Sequence, residues 1–254
     1  MTTVSRIEWT EQTWNPTVGC TKISAGCKHC YAETMAKRLQ AMGTPGYERG
    51  FELQLLPQRL QDPIKRKKPT VYFVNSMSDL FHERIPDDYI SQVFDVVAQT
   101  PHHTYQILTK RGARMARFFK GKQAPRNAWL GVSVENRKHG VPRIDHLRRV
   151  PAHIRFLSVE PLLEDVGELD LRGIHWVIVG GESGPKARPM KPEWAEAVRN
   201  QCEAQRVAFF FKQWGGWGAD GQKRAKSANG RELNGRTWDE MPVEPMAAAE
   251  VASG

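Results

Sequence analysis

Short apolar runs, rich in β-branched and aromatic residues, alternate with amphipathic segments along most of this chain. Near-continuous apolar runs of this kind are typical of parallel strands that are buried on both faces. Strands and helices that alternate in this way are joined by right-handed crossovers into one parallel sheet. The predicted strands are residues 17–19, 70–74, 104–108, 129–134, 154–159, 176–179 and 207–211. The predicted helices are residues 31–42, 86–100, 112–120, 137–149 and 192–205.

Polar side chains follow nearly every predicted strand, at the point where the strand ends. In a β/α barrel these carboxyl ends converge on one mouth, where such enzymes carry out their chemistry. Some of the same residues are equally typical of helix N-caps and turns. We predict an α/β fold, a full or partial (β/α) barrel. The residues at its predicted mouth are Ser76, Ser78, Asp79, Lys110, Ser133, Glu135, Glu160, Glu182, Lys212 and Gln213.

The end of the chain has a different character from the rest. Asp-Gly and Asn-Gly pairs recur after residue 217, and such pairs are strong hairpin signals. Residues from 246 onward are mostly alanine and predict a frayed tail. We therefore predict a barrel over residues 1–214, followed by a small C-terminal hairpin extension and tail over residues 215–254.

Composition limits the class of protein and the class of partner. The 254 residues are 40% hydrophobic and 26% charged, as in ordinary globular proteins. No apolar run approaches the roughly 20 residues that cross a bilayer, and the polar N-terminal segment lacks a signal-peptide core. We therefore expect a cytoplasmic protein with no membrane partner, whose cysteines stay reduced. The net charge of +9 favours DNA, RNA or a nucleotide as substrate. A solvated surface with excess lysine and arginine would give the same charge.

Three cysteines lie close together near the N-terminus, with the spacing C-x6-C-x2-C-Y. They are Cys20, Cys27 and Cys30. Iron–sulfur clusters and structural zinc ions usually have four protein ligands, so a set of three leaves one metal position open for chemistry. Because C-x2-C is common to zinc and iron–sulfur sites, a zinc site completed by His29 or Cys202 is an open alternative.

The cysteine loop follows a predicted strand and precedes a predicted helix, and it resembles the three-cysteine loop of the radical S-adenosylmethionine (SAM) superfamily. The usual spacing there is C-x3-C-x2-C, so the first gap is three residues longer in this chain. The resemblance implies a barrel of the radical SAM type in which Cys20, Cys27 and Cys30 bind a 4Fe-4S cluster. It also implies S-adenosylmethionine as cofactor and an electron donor such as a flavodoxin or ferredoxin.

Further segments resemble the spore photoproduct lyase-like branch of that superfamily. Residues 78–83 (SDLFHE) are similar to its T-D-P-Y-Q-P-x-E segment, residues 108–110 (LTK) to its L-T-K, and residues 131–134 (GVSV) to its V-S-I-T strand. The resemblance implies that Ser78 and Asp79 lie near the cofactor amine, that Lys110 pairs with the cofactor carboxylate and that Ser133 lies near the ribose. With Glu135, these are the predicted cofactor-binding residues.

Nearly the whole chain resembles a family of phage and bacterial proteins named after phage gene products thirty-seven and sixty-eight. The shared segments include residues 7–10 (IEWT), 158–162 (SVEPL), 180–183 (GGES) and 211–215 (FKQWG). That family brings no established reaction, so the resemblance predicts kinship without naming a substrate.

The later strands supply the predicted catalytic residues, Glu160, Glu182 and Gln213, which would contact the substrate away from the cysteine loop. A cap or a tight turn is the alternative role for each glutamate. Trp214 and Trp217 either stack a base or pack in the core.

Together these features predict a radical SAM-type enzyme that generates a 5′-deoxyadenosyl radical and acts on a nucleic acid or nucleotide. Two other classes stay open. One is a non-catalytic binding protein with a zinc clamp, and the other is an interaction protein of phage origin that keeps a cluster without turnover.

Overall fold

The computed structural model describes residues 3–4 and 7–243. In that part of the chain, ten strands and seven α-helices follow one another in mostly alternating order. The strands are β1 (Thr3–Val4), β2 (Gln12–Trp14), β3 (Thr17–Val18), β4 (Gln54–Leu55), β5 (Val71–Val74), β6 (Thr104–Thr109), β7 (Ala128–Ser133), β8 (Ile154–Val159), β9 (Trp176–Gly180) and β10 (Ala208–Gln213). The helices are α1 (Tyr31–Ala41), α2 (Asp62–Lys65), α3 (Asp87–Gln99), α4 (Gly112–Phe118), α5 (Pro142–Arg148), α6 (Pro192–Ala204) and α7 (Lys226–Asn229).

The main sheet is a curled half-barrel. Among the described residues, seven parallel strands pair in the order β2-β5-β6-β7-β8-β9-β10, and β1 adds an antiparallel strand beside β2. Helices α3, α4, α5 and α6 lie in crossovers between neighbouring strands of this sheet. The prediction of a full or partial β/α barrel is confirmed, and the barrel is a partial one.

The two faces of the sheet bury different side chains, because successive residues of a strand point to opposite sides. On β5, Tyr72 and Val74 belong to the large core that the helices cover, whereas Phe73 belongs to a second cluster on the concave face. Gly131 also lies on the concave face, where a side chain would come within 2.6 Å of the Phe156 ring. The concave cluster consists of Trp9, Phe73, Trp129, Ile154, Phe156, Trp176, Ile178 and Phe210. This cluster fills the floor of the half-barrel beneath the carboxyl ends of the strands.

The predicted strands from residue 70 onward are confirmed to within two residues. The prediction that residues 17–19 form the first strand of the barrel is wrong. Thr17–Val18 instead pairs antiparallel with Gln54–Leu55, and Gln12–Trp14 is the strand that pairs with β5. The real first strand is short and partly polar, so it lacks the apolar run that marks the others.

The predicted helix over residues 137–149 begins later, at Pro142, because Asn136 holds the preceding residues in a turn. The Asn136 side chain accepts from the His139 amide at 2.9 Å, and its carbonyl accepts from the Gly140 amide at 2.9 Å. Proline is favoured in the first turn of a helix, which fits the observed start.

Beyond residue 214 the chain makes two antiparallel bridges, Trp217 with Lys223 and Leu233 with Arg236. Gly230, with φ +69°, ends α7 rather than forming a hairpin. A third bridge joins Asp239 to Phe210 of β10. The division at residue 214 stays a prediction, and the predicted tail from residue 246 lies outside the described residues. No helix in the described part of the chain is long and apolar enough to span a membrane.

Candidate active site

The cysteine loop, residues 19–30, lies at the carboxyl edge of the parallel sheet. Gly19 forms a parallel bridge with Ser78, and the Ser78 hydroxyl donates to the Gly19 carbonyl at 2.7 Å. Since Ser78 lies in the turn that follows β5, this contact joins the start of the loop to the end of a barrel strand. Gly19 has φ +82°, and a side chain there would collide with the backbone of Glu52, so the position requires glycine.

The three clustered cysteines are free thiols, and each is partly exposed. A 3-10 turn at Ala25–Cys27 bends the loop, and Cys30 is the residue before α1. Burial, reinforced by the nearby charge of Asp79, raises the pKa of the Cys20 thiol to about 11. Across residues 3–4 and 7–243, no three His, Cys, Asp or Glu side chains are grouped so as to hold a metal ion. Three thiols on one loop match, in number and chemistry, the ligands of a cluster bound by three thiolates.

Two residues that were open to a functional role belong to the core. Cys202 is buried on α6 within the main hydrophobic core, where burial raises its pKa to about 12, so it does not complete a metal site. Trp214 is buried against Phe211 with ring centroids 5.0 Å apart. Trp217 is half-buried and donates to the Ala187 carbonyl at 2.7 Å. Base stacking by Trp214 is therefore excluded, and stacking by Trp217 stays a prediction.

Asp79 is buried in the turn after β5 and accepts four hydrogen bonds. Its Oδ1 accepts from the Phe81 amide at 3.0 Å and from the Thr109 hydroxyl at 2.6 Å. Its Oδ2 accepts from the Lys110 amide and from the Arg111 guanidinium, both at 3.0 Å. Since a carboxylate has about four lone-pair sites, these contacts use its acceptor capacity. Asp79 thus ties the turn after β5 to the end of β6.

Glu135 is fully buried just beyond β7, between two cations and the cysteine loop. Arg143 donates to its Oε2 at 2.6 Å, and Lys110 Nζ lies 3.8 Å from the same oxygen. The Ser24 hydroxyl donates to its Oε1. Burial raises the pKa of Glu135, but Lys110, Arg143 and the Ser24 hydrogen bond outweigh it and hold the pKa below its ordinary value. A side chain at Gly26 would press on Glu135 at 3.1 Å, so the loop approaches this carboxylate closely.

Glu160 lies at the centre of a second polar cluster, formed by the ends of β8 and β10. Lys212 Nζ lies 3.1 Å from its Oε1, and the Gln213 amide donates to the same oxygen at 3.4 Å. The Ser158 hydroxyl donates to Oε2 at 3.3 Å. Gln213 also donates to the Gly181 carbonyl at 3.2 Å, whereas its buried Oε1 has no hydrogen-bond partner among the described residues. This cluster therefore contains one buried acceptor that no described residue satisfies.

Glu182 follows β9 and is bound by a single arginine. Arg188 donates to it from its amide at 2.9 Å, from Nε at 2.8 Å and from Nη2 at 2.6 Å. Burial raises the pKa of Glu182, but Arg188 outweighs burial and lowers it, with a smaller contribution from His29 of the cysteine loop. Glu182 is therefore held as a carboxylate beside Arg188 at the end of β9.

The structure thus brings most predicted site residues to one edge of the sheet. Ser78, Asp79, Lys110 and Glu135 surround the cysteine loop, Ser133 is buried at the end of β7, and Glu160, Glu182 and Gln213 lie at the ends of the later strands. Sequence reasoning missed three arginines that pair with the predicted carboxylates. Arg111 directly follows Lys110, the last residue of the LTK segment, so the sequence came closer to identifying it than the other two arginines. Arg143 lies in the helical segment after the GVSV strand and Arg188 lies beyond the GGES turn, but no motif singled out either residue.

The chain belongs to the family described as "Protein of unknown function (DUF5131)", whose model matches residues 4–242. No curated protein matches it.

Among solved structures, the chain is similar to spore photoproduct lyase complexed with dinucleoside spore photoproduct. The identity is 11% over 79% of this chain and 63% of that chain, with a TM-score of 0.47. It is also similar to a mutant of that lyase with bound AdoMet and dinucleoside spore photoproduct, at 12% identity over 71% of this chain and 58% of that chain, with a TM-score of 0.45. A cysteine-to-serine mutant of the same lyase is 12% identical over 82% of this chain and 65% of that chain, with a TM-score of 0.49. The chain spans less than two thirds of the length of these structures.

Proposed function

We propose that this protein is a radical SAM-type enzyme in which Cys20, Cys27 and Cys30 bind a 4Fe-4S cluster. The observation that carries the proposal is the position of three free thiols on one loop at the carboxyl edge of a parallel β/α half-barrel. Chemistry in β/α barrels takes place at this edge. Cys20, Cys27 and Cys30 would hold the cluster, which would supply the electron for reductive cleavage of S-adenosylmethionine to methionine and a 5′-deoxyadenosyl radical.

Residues on the first half of the sheet would bind the cofactor and hold the loop. Lys110 Nζ lies 3.8 Å from Glu135, which is longer than a hydrogen bond, so its ammonium keeps donors for the cofactor carboxylate. We assign the ribose to Ser133, as the resemblance implies. Ser78 and Asp79 already bond to protein groups, so we assign them the task of holding the cysteine loop and the neighbouring turn.

Residues on the second half of the sheet would contact the substrate. Gln213 Oε1 offers a buried acceptor to a substrate N–H or O–H. Glu160 and Glu182 are held next to Lys212 and Arg188, so each presents a charged pair rather than a lone carboxylate. The aromatic cluster on the concave face closes the floor of the half-barrel and excludes water from below.

A nucleic acid or nucleotide is the substrate class that we propose. The net charge of +9 favours a polyanion. An electron donor such as a flavodoxin or ferredoxin, a cytoplasmic location and kinship with the phage family belong to the same proposal.

The proposal is tested by 5′-deoxyadenosine formation. The protein is reconstituted anaerobically with iron and sulfide, and then supplied with S-adenosylmethionine and a strong reductant. Cys27→Ala should lose bound iron and sulfide and form no 5′-deoxyadenosine. Cys202→Ala is the matched control, because that thiol is buried in the core and should leave both measurements unchanged.

Each negative result points to a different class of protein. A cluster that forms without any 5′-deoxyadenosine would favour the non-catalytic interaction protein. Bound zinc without sulfide would favour the zinc clamp. Normal iron and sulfide in Cys27→Ala would contradict the ligand assignment itself.

A further inference from the structure

Arg111 lies between the cysteine loop and the barrel, and all five of its N–H groups have acceptors. Nε donates to the Glu83 carboxylate at 2.9 and 3.0 Å. Nη1 donates to Asp79 at 3.0 Å and to the Cys20 sulfur at 3.5 Å. Nη2 donates to the Thr21 carbonyl at 3.2 Å and to its hydroxyl at 3.0 Å. A guanidinium has five donors in a rigid fork, so this side chain is fully satisfied where it stands.

Contacts on the barrel side hold the Arg111 guanidinium in place independently of its contacts with the cysteine loop. Its side chain is only 3% exposed and pairs with Asp79, which is itself held by backbone amides and the Thr109 hydroxyl. An arginine side chain stays charged at any ordinary pH, and the carboxylates of Asp79 and Glu83 compensate this buried charge. A buried charge needs its partners close by, and the partners on this side follow strands of the sheet. The barrel therefore determines the position of the Arg111 guanidinium.

On the loop side, the Arg111 guanidinium donates hydrogen bonds to two consecutive residues, Cys20 and Thr21. The Thr21 hydroxyl is also within 2.9 Å of His82 Nε2. His82 Nδ1 accepts from the Arg84 amide at 3.2 Å, so Nε2 carries the proton and donates to Thr21. Thr21 therefore receives hydrogen bonds from two side chains that belong to the barrel.

We propose that Arg111 is a positioning residue that fixes the first cysteine of the loop and donates a hydrogen bond to the Cys20 sulfur. The first part holds for the metal-free protein. The second part rests on the proposed function, because it concerns the sulfur as a cluster ligand. Hydrogen bonds to cysteinyl sulfurs, like net charge, set the reduction potential of iron–sulfur clusters. A donor and positive charge beside Cys20 stabilise the more negative, reduced cluster and so raise its midpoint potential.

The long gap between the first two cysteines explains why the loop needs contacts that hold it. Six residues separate Cys20 from Cys27, and a longer loop has more conformations to lose when its ends are held. Arg111 holds the loop at residues 20 and 21, and Glu135 holds it at Ser24. Two fixed points inside one gap restrict the loop before any metal binds.

The experiment compares Arg111→Gln and Arg111→Lys with Arg114→Gln. Arg114 is the matched control, since it lies in the helix that Arg111 directly precedes and donates to the carbonyls of His82 and Ile85 rather than to the cysteine loop. Thr21→Val removes one acceptor of the fork at an exposed position, so it tests the same contact in a variant that should fold normally.

Hydrogen–deuterium exchange of the metal-free proteins is the first measurement. Arg111→Gln should exchange the amides of residues 19–28 roughly tenfold faster or more, because hydrogen bonds from a charged group are lost. Thr21→Val and Arg111→Lys should show smaller increases, and Arg114→Gln should show none in this segment. Unchanged exchange in both Arg111→Gln and Thr21→Val would overturn the positioning role, whatever the enzyme activity proves to be.

The midpoint potential of the reconstituted cluster is the second measurement, made by electron paramagnetic resonance during a redox titration. Arg111→Gln should bind a cluster with a lower potential, and Arg111→Lys should lie between it and the wild type. A potential that is equal in all three proteins would overturn the hydrogen bond to sulfur. If no protein binds a cluster, the proposed function and the second part fail, and the exchange measurement still decides the first part.

Discussion

Replacement of Asp79 by asparagine distinguishes two roles for this residue. The family resemblance implies a contact with the cofactor amine, whereas the structure shows a carboxylate that accepts four hydrogen bonds from the protein. Asparagine keeps the shape but has one oxygen acceptor and an NH₂ group that donates. Whichever way the amide turns, its NH₂ faces groups that also donate, and the negative charge beside Arg111 disappears.

The expected loss of stability follows from these contacts. Breaking a buried ion pair by removing one partner costs about 3–5 kcal/mol, because the remaining charge stays buried without compensation. The Asp79 and Arg111 side chains are 9% and 3% exposed, which places this pair in that class. Because Glu83 would still pair with Arg111, although its side chain is 60% exposed, we expect Asp79→Asn to lower the free energy of unfolding by about 3 kcal/mol, the lower end of this range.

Urea unfolding of the metal-free protein measures this loss, with the slope of the transition checked for a change in the denatured state. Asp87→Asn is the control, because Asp87 pairs with Arg114 while its side chain is 66% exposed. Exposed pairs of that kind contribute about 1 kcal/mol or less. The double variant Asp79→Asn/Arg111→Gln should lose less than the sum of the single variants, since both changes break the same pair.

The reasoning would be refuted by a loss no larger than that of Asp87→Asn together with additive effects in the double variant. In that case Asp79 would not tie the turn to β6, and a specific loss of S-adenosylmethionine binding would favour contact with the cofactor amine.

Two further predictions concern the other carboxylates at the mouth. Arg143→Met should lower the free energy of unfolding by about 3 kcal/mol, because Glu135 would stay buried with only Lys110 at 3.8 Å and the Ser24 hydroxyl as partners, and adding Glu135→Leu should recover part of the loss. Urea unfolding checks both, and absence of recovery would count against the pair. Arg188 outweighs burial and lowers the pKa of Glu182. The ion pair therefore stabilises the protein above the ordinary glutamate pKa of 4.5, and this stabilisation is lost as the pH falls through the lowered pKa of Glu182. Glu182→Gln should therefore flatten the decline in stability as the pH falls below 4.5, and an unchanged decline would contradict the assignment.

Local pattern was enough to predict six of the seven parallel strands, β5 to β10, and the helices of the crossovers between them. The runs that became β5 to β10 are apolar because both of their faces are covered, by helices on one side and by the aromatic cluster on the other. The same rule failed at β2, because Gln12 and Thr13 interrupt the apolar pattern although both are buried. A short strand at the edge of the parallel part of a sheet has too few residues to show a period.

The sequence by itself also determined which residue types would meet at the mouth, because the carboxyl ends of parallel strands lie at one edge. Only the tertiary structure decided what each side chain does there. Asp79 was identifiable as a carboxylate near the cysteine loop, but its partner Arg111 lies 32 positions away and its acceptor sites are already filled. Hydrogen bonds between residues so far apart depend on the positions of whole strands, and no local spacing encodes them. The sequence therefore indicated where chemistry would take place, and the folded chain decided which groups hold the cysteine loop and which stay open for a ligand.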